Sequence, residues 1–360
     1  MKISNRLQKI RQKLIEKEIE AILISQPENR YYLSGFDGSA GFLLITPQRT
    51  ILATDFRYIE QAKTQAPAYE IFPITNAVAK WFPELITGLN PKQLGFEALH
   101  VTFDLHQQLI NILNKENSRL KLVPTNGLVE SLRAVKEPEE IKLITKAVKI
   151  SDSAFEHVEN ILYIGISEKE IAWELDKFMR EKGSQPMPFE IIVASGPNAA
   201  LPHHKPSQRT VQSGEPLIID MGARVGAYIS DLTRTICLDN CNDTFNKVYN
   251  IVLGAQLEAI TQIKEGMSGG NIDHLSRVVI EQAGYGTAFG HGLGHGIGLA
   301  PHESPRLGLN STEIITSGMV FTVEPGIYLA GWGGVRIEDT VVLESGKIRV
   351  LSKARKMHDR

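Results

Sequence analysis

Two stretches, SGEPLIIDMG at Ser213–Gly222 and SGMVFTVEPG at Ser317–Gly326, decide how this chain is read. Ser-Gly opens each, an apolar run with strand character follows, an acid closes the run, and Gly stands two places later. Ser213 and Ser317, Asp220 and Glu324, and Gly222 and Gly326 are all 104 residues apart. A carboxylate at the end of an apolar, β-prone run is expensive to bury unless a cation compensates it. Here the same expense recurs, which points to a site.

Each copy carries a second acid further on: Asp231 after Asp220, and Glu338 after Glu324. Read as antiparallel hairpins, a turn centred on Val225-Gly226 sets the two Asp face to face. An odd-length loop centred on Gly331 does the same for the two Glu. Opposed side chains have Cβ atoms roughly 4.5–5.5 Å apart, and like charges that close strongly raise one pKa. Four carboxylates from two related hairpins therefore predict bound cation, and more than one ion.

The helices repeat as well. GISEKEI before Gly183 matches GMSGGNI before Gly284, with Gly165/Gly266, Ser167/Ser268 and Ile171/Ile272 offset by 101. Helices are expected over Pro138–Ile161, from Ser167-Glu168-Lys169-Glu170 (a capping-box start) to Gly183, over Thr244–Lys264 and over Asn271–Ala283. Each half then runs helix, helix, hairpin. The expectation is a duplicated unit with pseudo-twofold symmetry whose hairpins meet at its centre.

The most biased stretch is FGHGLGHGIGLAPHE, Phe289–Glu303. His291 and His295 are four apart, but five Gly between 290 and 298 argue against a helix. An irregular, closely packed backbone feeding His into a crowded centre is expected. His302 follows, and His203 lies in an irregular segment just before the first hairpin. Four carboxylates with one imidazole suit oxygen-loving divalent ions more than a thiolate zinc site. Such a pair supplies hydrolysis of an amide or a related bond, with the remaining His handling substrate and protons.

The 360 residues carry a net charge of −2, 42% hydrophobic and 22% charged residues, and no Lys/Arg block. These values describe a soluble globular protein of about two domains and give no reason to expect nucleic acid or a membrane surface as partner. The start, MKISNRLQKIRQKLIEKEIE, shows no signal-peptide core. Cys237 and Cys241 are expected to be reduced, in a cytoplasmic protein. Residues 1–124 alternate helix and strand as an α/β domain: helices over Asn5–Lys17, Phe56–Gln65, Asn76–Thr87 and Phe103–Asn114, and strands over Glu20–Ser25, Gly41–Thr46, Thr50–Thr54, Tyr69–Phe72 and Arg119–Val123. Its glycine-rich loop, Gly35–Gly41, lacks the helix and Lys of a phosphate loop, and a tight turn shaped for close packing is expected.

IIDMGA, SDLTRT, GHGLGHGIGL, TVEPGIY and GVRIED together resemble the proline-specific peptidases of the pita-bread metallopeptidase family, aminopeptidase P and prolidase. NRYYLSGFDGSAGFLLIT and ATDFRYIEQA are similar to their creatinase-type N-terminal domain, so the resemblance spans nearly the whole chain. It implies a creatinase-like domain over 1–124 and an α+β pita-bread catalytic domain over 125–360. It implies two divalent ions, Mn²⁺ first, with Co²⁺, Zn²⁺ or Fe as alternatives, on Asp220, Asp231, His295, Glu324 and Glu338. Glu324 would also take the proton from the attacking water. His203, His291 and His302 match the family's substrate and proton-handling His, and Arg336 its supporting Arg. His204-Lys205 stand where many relatives carry a small residue.

The implied activity is an Xaa-Pro aminopeptidase acting on peptides with proline second, as a homodimer, with the Xaa-Pro dipeptidase as the alternative. Methionine aminopeptidase normally lacks the N-terminal domain. A non-catalytic scaffold or a creatinase-type hydrolase has no need of all five ligands.

Overall fold

Leu7, Ile10 and Leu14 recur at helical spacing, and α1 (Ile3–Glu16) buries all three. The continuous apolar run that follows forms β1 (Ala21–Ile24), covered on both faces. The computed structural model describes residues 3–75, 77–87, 89, 91–187 and 189–356. Its contacts divide the chain into two units, Met1–Arg133 and Ala134–Arg360.

After β1 come α2 (Pro27–Ser34), β2 (Phe42–Ile45), β3 (Thr50–Thr54), α3 (Ile59–Gln65), β4 (Glu70–Pro73), α4 (Val78–Ile86), β5 (Gln93–Glu97), α5 (Phe103–Lys115) and β6 (Lys121–Thr125). The strands form one sheet in the order β4-β3-β2-β1-β5-β6. β1, β2 and β3 pair antiparallel, and both flanks are parallel. Trp81, Phe82 and Leu85 of α4 and Leu109 and Leu113 of α5 fill the core on this sheet.

The expected helix start at Asn76 lies outside the described residues. Two of these elements, α2 and β5, have no counterpart in the sequence reading. The buried residues of α2 include Asn29 and Arg30, so no apolar period marks it. β5 carries Gly95 and ends on buried Glu97, both poor strand signals. The Gly35–Gly41 loop is the tight turn expected: Arg30 donates to the Gly38 and Gly41 carbonyls. A Cβ on Gly38 would lie 2.2 Å from the Phe36 ring.

A short helix, α6 (Glu130–Ala134), crosses the division. The second unit continues with α7 (Pro138–Glu159), α8 (Glu168–Glu181), β7 (Ile192–Ser195), β8 (Pro216–Met221), β9 (Arg224–Val225), β10 (Tyr228–Ile229) and β11 (Leu232–Cys237). Its second half follows as α9 (Asp243–Gln262), α10 (Gly269–Gln282), β12 (Gly294–Gly296), β13 (Glu303–Leu307), β14 (Val320–Val323), β15 (Gly326–Leu329), β16 (Gly333–Arg336), β17 (Asp339–Glu344) and β18 (Lys347–Val350).

The duplication is visible in detail. Ser167 and Ser268 both cap their helices, accepting from the amides of Glu170 and Asn271. Both also form isolated bridges, to Thr210 and to Ile314. The sheets run β11-β8-β7 in one half and β13-β12-β14-β17-β18 in the other. Each half has its own core, around Phe155, Leu175 and Ile219 in the first and Phe245, Val252 and Phe321 in the second. Each such fully buried side chain contributes roughly 1.5–3 kcal/mol.

The second hairpin keeps the expected register: Gly326 pairs with Arg336 and Val323 with Asp339, which leaves Glu324 and Glu338 opposed. The first does not. Asp220 pairs with Thr233, and Tyr228 with Val225, so the turn is Gly226-Ala227. Both turn residues have positive φ, 56° and 70°, as a two-residue hairpin turn of the primed type requires. Val225, being β-branched, resists that conformation, and the turn moves one residue on. The shift in pairing is two residues, so Asp231 stays on the face of Asp220 as a diagonal neighbour.

The hairpins meet as expected. Glu338 N donates to Thr233 O (3.0 Å), Thr340 Oγ1 to Asp231 O (2.8 Å) and Thr235 Oγ1 to Arg336 O (2.8 Å). Buried Arg234 donates to Asp339 Oδ1 (2.7 Å) and to the Ala354 carbonyl (2.7 Å), while Asp152 accepts from Lys353 N and Ala354 N. Residues 351–356 are thereby fixed without regular structure.

Cys237 and Cys241 are paired as a disulfide, with Cα atoms 5.9 Å apart, within reach of such a bond. This corrects the expectation of reduced thiols, and a cytoplasmic location loses the support drawn from them. Among the described residues no helix is long and apolar enough to cross a membrane.

Candidate metal centre

Asp220 sits near the end of β8, Asp231 just ahead of β11, and Glu338 between β16 and β17. Each offers a carboxylate oxygen, and the three oxygens lie within 4.8 Å of one another. Asp220 Oδ2 accepts from Arg336 Nη2 at 2.6 Å. Glu338 Oε2 accepts from Thr233 Oγ1 at 2.6 Å, whereas its Oε1 is buried with no hydrogen-bond partner. A buried carboxylate oxygen without a partner, on a residue clustered with two other acids, is an acceptor that a cation would satisfy.

His295 on β12 extends the cluster. Its Nε2 is 3.3 Å from Glu324 Oε1 and 3.9 Å from Asp231 Oδ2. Its Nδ1 lies 3.1 Å from the Gly296 carbonyl, which can only accept, so Nδ1 carries the proton and Nε2 presents a free lone pair to the acids. Thr322 Oγ1 accepts from His295 N and donates to Glu324 Oε1, which sets ring and carboxylate together. The expected irregular backbone is here a short strand. β12 pairs with β13 and β14, bulged at His295/Gly296. Glycine is required on it because a Cβ on Gly294 would lie 2.2 Å from Thr322 O.

The charges are poorly compensated. Burial raises the carboxyl pKa of Asp231, with Asp220 and Glu324 adding to it, and burial and Asp231 do the same to Glu338. Glu324 is raised by burial, partly opposed by His291 and Arg336. Burial lowers His291, His295 and His302, favouring neutral imidazoles.

The other anticipated residues stand around this core. Arg336, buried on β16, also donates to Tyr328 Oη (2.8 Å), and Tyr328 Oη lies 3.0 Å from His291 Nε2. His291 Nδ1 faces the Gly292 carbonyl, so Nε2 accepts from the phenol. Its segment hangs from α10: Arg277 donates to Phe289 O and His291 O, and Asp273 accepts from Leu293 N and from Arg277. His302 is exposed, its ring edge-on to that of His295 with centroids 4.1 Å apart. His203 is exposed too, next to Pro202, whose carbonyl takes Arg336 Nη1 at 3.5 Å. Thr233, Thr322 and Tyr328 escaped the sequence reading. A Thr or Tyr inside an apolar strand has no signature until its partner is seen.

Four carboxylates and one unprotonated imidazole nitrogen, with no thiolate among them, fit hard divalent ions. Residues 142–345 match the model of metallopeptidase family M24, and residues 6–135 that of the creatinase/prolidase N-terminal domain. The chain is 33% identical to an Xaa-Pro dipeptidase of Pyrococcus furiosus over 98% of both chains. Its fold superposes on an Xaa-Pro dipeptidase from Bacillus anthracis with a TM-score of 0.93, 40% identity and 99% of both chains covered. An X-Pro aminopeptidase from Thermotoga maritima gives 0.89 and 35%, with 97% of this chain and 98% of that one covered.

Proposed function

The chain belongs to metallopeptidase family M24, with a creatinase/prolidase-type N-terminal domain, and on that premise we propose that it is an Xaa-Pro dipeptidase. The observation that carries a metal-dependent hydrolase is the cluster of Asp220, Asp231 and Glu338 with the orphaned Glu338 oxygen. The leaning of the sequence towards the aminopeptidase gives way to its alternative, because the relatives named above weigh towards dipeptidases. The Thermotoga protein keeps the aminopeptidase as the second reading.

In this reading Asp220, Asp231, His295, Glu324 and Glu338 hold two divalent ions, Mn²⁺ by preference. Bound ions of this kind supply Lewis-acid polarisation of a carbonyl and a water acidic enough to attack near neutral pH. Glu324 would take the proton of the attacking water, a task suited to a carboxyl whose burial lifts its proton affinity. Arg336 donates to Asp220 Oδ2 and orients that carboxylate. His291, His302 and His203, neutral or close to solvent, bind the substrate carbonyl and carry the proton to the leaving proline nitrogen. A homodimer belongs to the same reading, and exposed Tyr163, Ile164 and Trp173 offer apolar surface for it.

The test is metal-free protein reloaded with Mn²⁺ and given Xaa-Pro and Xaa-Pro-Yaa peptides. Faster hydrolysis of the dipeptide is expected. Cleavage confined to the longer peptide moves the assignment to the aminopeptidase, and full activity without metal removes both.

A further inference from the structure

Glu168, the first residue of α8, is wholly buried, yet its carboxylate accepts six hydrogen bonds. Oε1 takes Ser195 N (2.8 Å), Ser195 Oγ (2.8 Å) and Asn198 Nδ2 (2.9 Å). Oε2 takes Ser207 N (2.9 Å), Ser207 Oγ (2.6 Å) and His204 Nε2 (2.9 Å). Burial works to raise its pKa, but the bonds from Ser207, Asn198, Ser195 and His204 outweigh it and hold the group at about 2. An ionised carboxylate only accepts, so His204 donates from Nε2.

All six donors lie within residues 195–207, which run from the end of β7 through a short 3-10 turn to the stretch that carries His203. The other side of this segment rests on β16. A Cβ on Gly334 would lie 2.3 Å from Ala199 O, so the two backbones pack with nothing between them, and Arg336 reaches the Pro202 carbonyl. His203 is therefore flanked by two anchored residues, Pro202 towards the metal centre and His204 towards Glu168. His203 lies close enough to His302 for its charge to act on that ring.

We propose that His204 is a positioning residue for His203: its bond to Glu168 fixes the segment so that His203 faces the centre instead of swinging into solvent. The proposal rests on the substrate-handling role given to His203 above. Neither its geometry nor its tether requires a charged His204.

Four proteins test it: wild type, His204→Ala, His203→Ala and the double variant, all loaded with Mn²⁺ and assayed on Xaa-Pro. His204→Ala is expected to lower kcat roughly 10- to 10²-fold, the scale of a displaced catalytic group, with bound metal unchanged. His204→Gln, whose amide nitrogen reaches the place of Nε2, should recover most of the loss. In the His203→Ala background, removing His204 should change kcat less than about twofold, because the two act as one unit. An equal loss in both backgrounds, or none in the wild-type background, overturns the proposal. Amide exchange over residues 195–207 reads the tether without catalysis: faster exchange in His204→Ala is expected, and unchanged exchange overturns the proposal whatever the substrate. A wild-type protein inactive on every Xaa-Pro peptide sinks the assigned function, leaving exchange to decide the tether.

Discussion

In the first half of the second unit, α8 holds the His203 segment with a single carboxylate, Glu168. In the second half, α10 holds the His291 segment with an ion pair, Asp273 and Arg277. The equivalent of Glu168 in the repeat is Gly269, where a Cβ would lie 2.0 Å from Arg306 O. No side chain fits there, and the brace stands four residues further along, one turn down the same helix face. The hairpins differ in the same spirit. One sets its acids diagonally, the other face to face, yet all four reach one centre. Duplication has preserved caps, bridges and the facing of side chains, while the identity of the partners has drifted.

One acid from each hairpin gives the sharpest test. Asp231→Asn and Glu338→Gln should each lower kcat/KM by roughly 10³-fold, the scale of losing a preorganised charge at the reacting centre, and should release metal measurable by mass spectrometry. Near-normal activity in Asp231→Asn would remove Asp231 from the centre and leave Asp220 as the first hairpin's only acid there.

The braces come next. Asp273→Ala strands the buried Arg277 guanidinium, and a loss of about 3–5 kcal/mol in denaturant unfolding is expected. A loss too small to resolve would mean that the second half does not depend on its ion pair.

The first half is distinguished by pH. The pKa of Glu168 is depressed from the ordinary 4.5 to about 2. Its contribution is complete above 4.5 and fades as pH falls towards 2. Urea midpoints of wild type and Glu168→Gln should therefore converge over that window and stay apart at neutral pH. A gap that does not narrow would show that the bonds, and not the charge, matter.

The turns give the smallest effect. Ala227→Gly removes a left-handed alanine (φ 70°) from the first hairpin and should add about 1 kcal/mol of stability. Gly331→Ala, at φ 79° in the second, should subtract a similar amount.

The repeat was legible because its signals are local: Ser-Gly ahead of a strand, Ser at a helix N-cap, an acid after an apolar run. The register of the first hairpin was not, since it depends on which two residues accept positive φ, and a Val-Gly pair and a Gly-Ala pair look alike until the sterics of Val225 are weighed. β12 was hidden because glycine, chosen there for backbone contact, erases strand propensity. Glu168 read as a capping residue, and nothing along the chain announces that six donors from a distant segment converge on it. The choice between aminopeptidase and dipeptidase was not legible, because it turns on whether the far end of the substrate is blocked and the motifs that name the family do not bear on that.

The fixing of residues 351–356 has a consequence for shortened chains. The Ala354 carbonyl is one of the acceptors that satisfy Arg234, whose guanidinium also binds the Glu338 carbonyl and Asp339. A chain cut before Leu351 would lose an acceptor directly behind an acid of the centre, and would open to water a cation that the intact molecule keeps dry. Residues 351–356 are a stopper for the interior of the second unit.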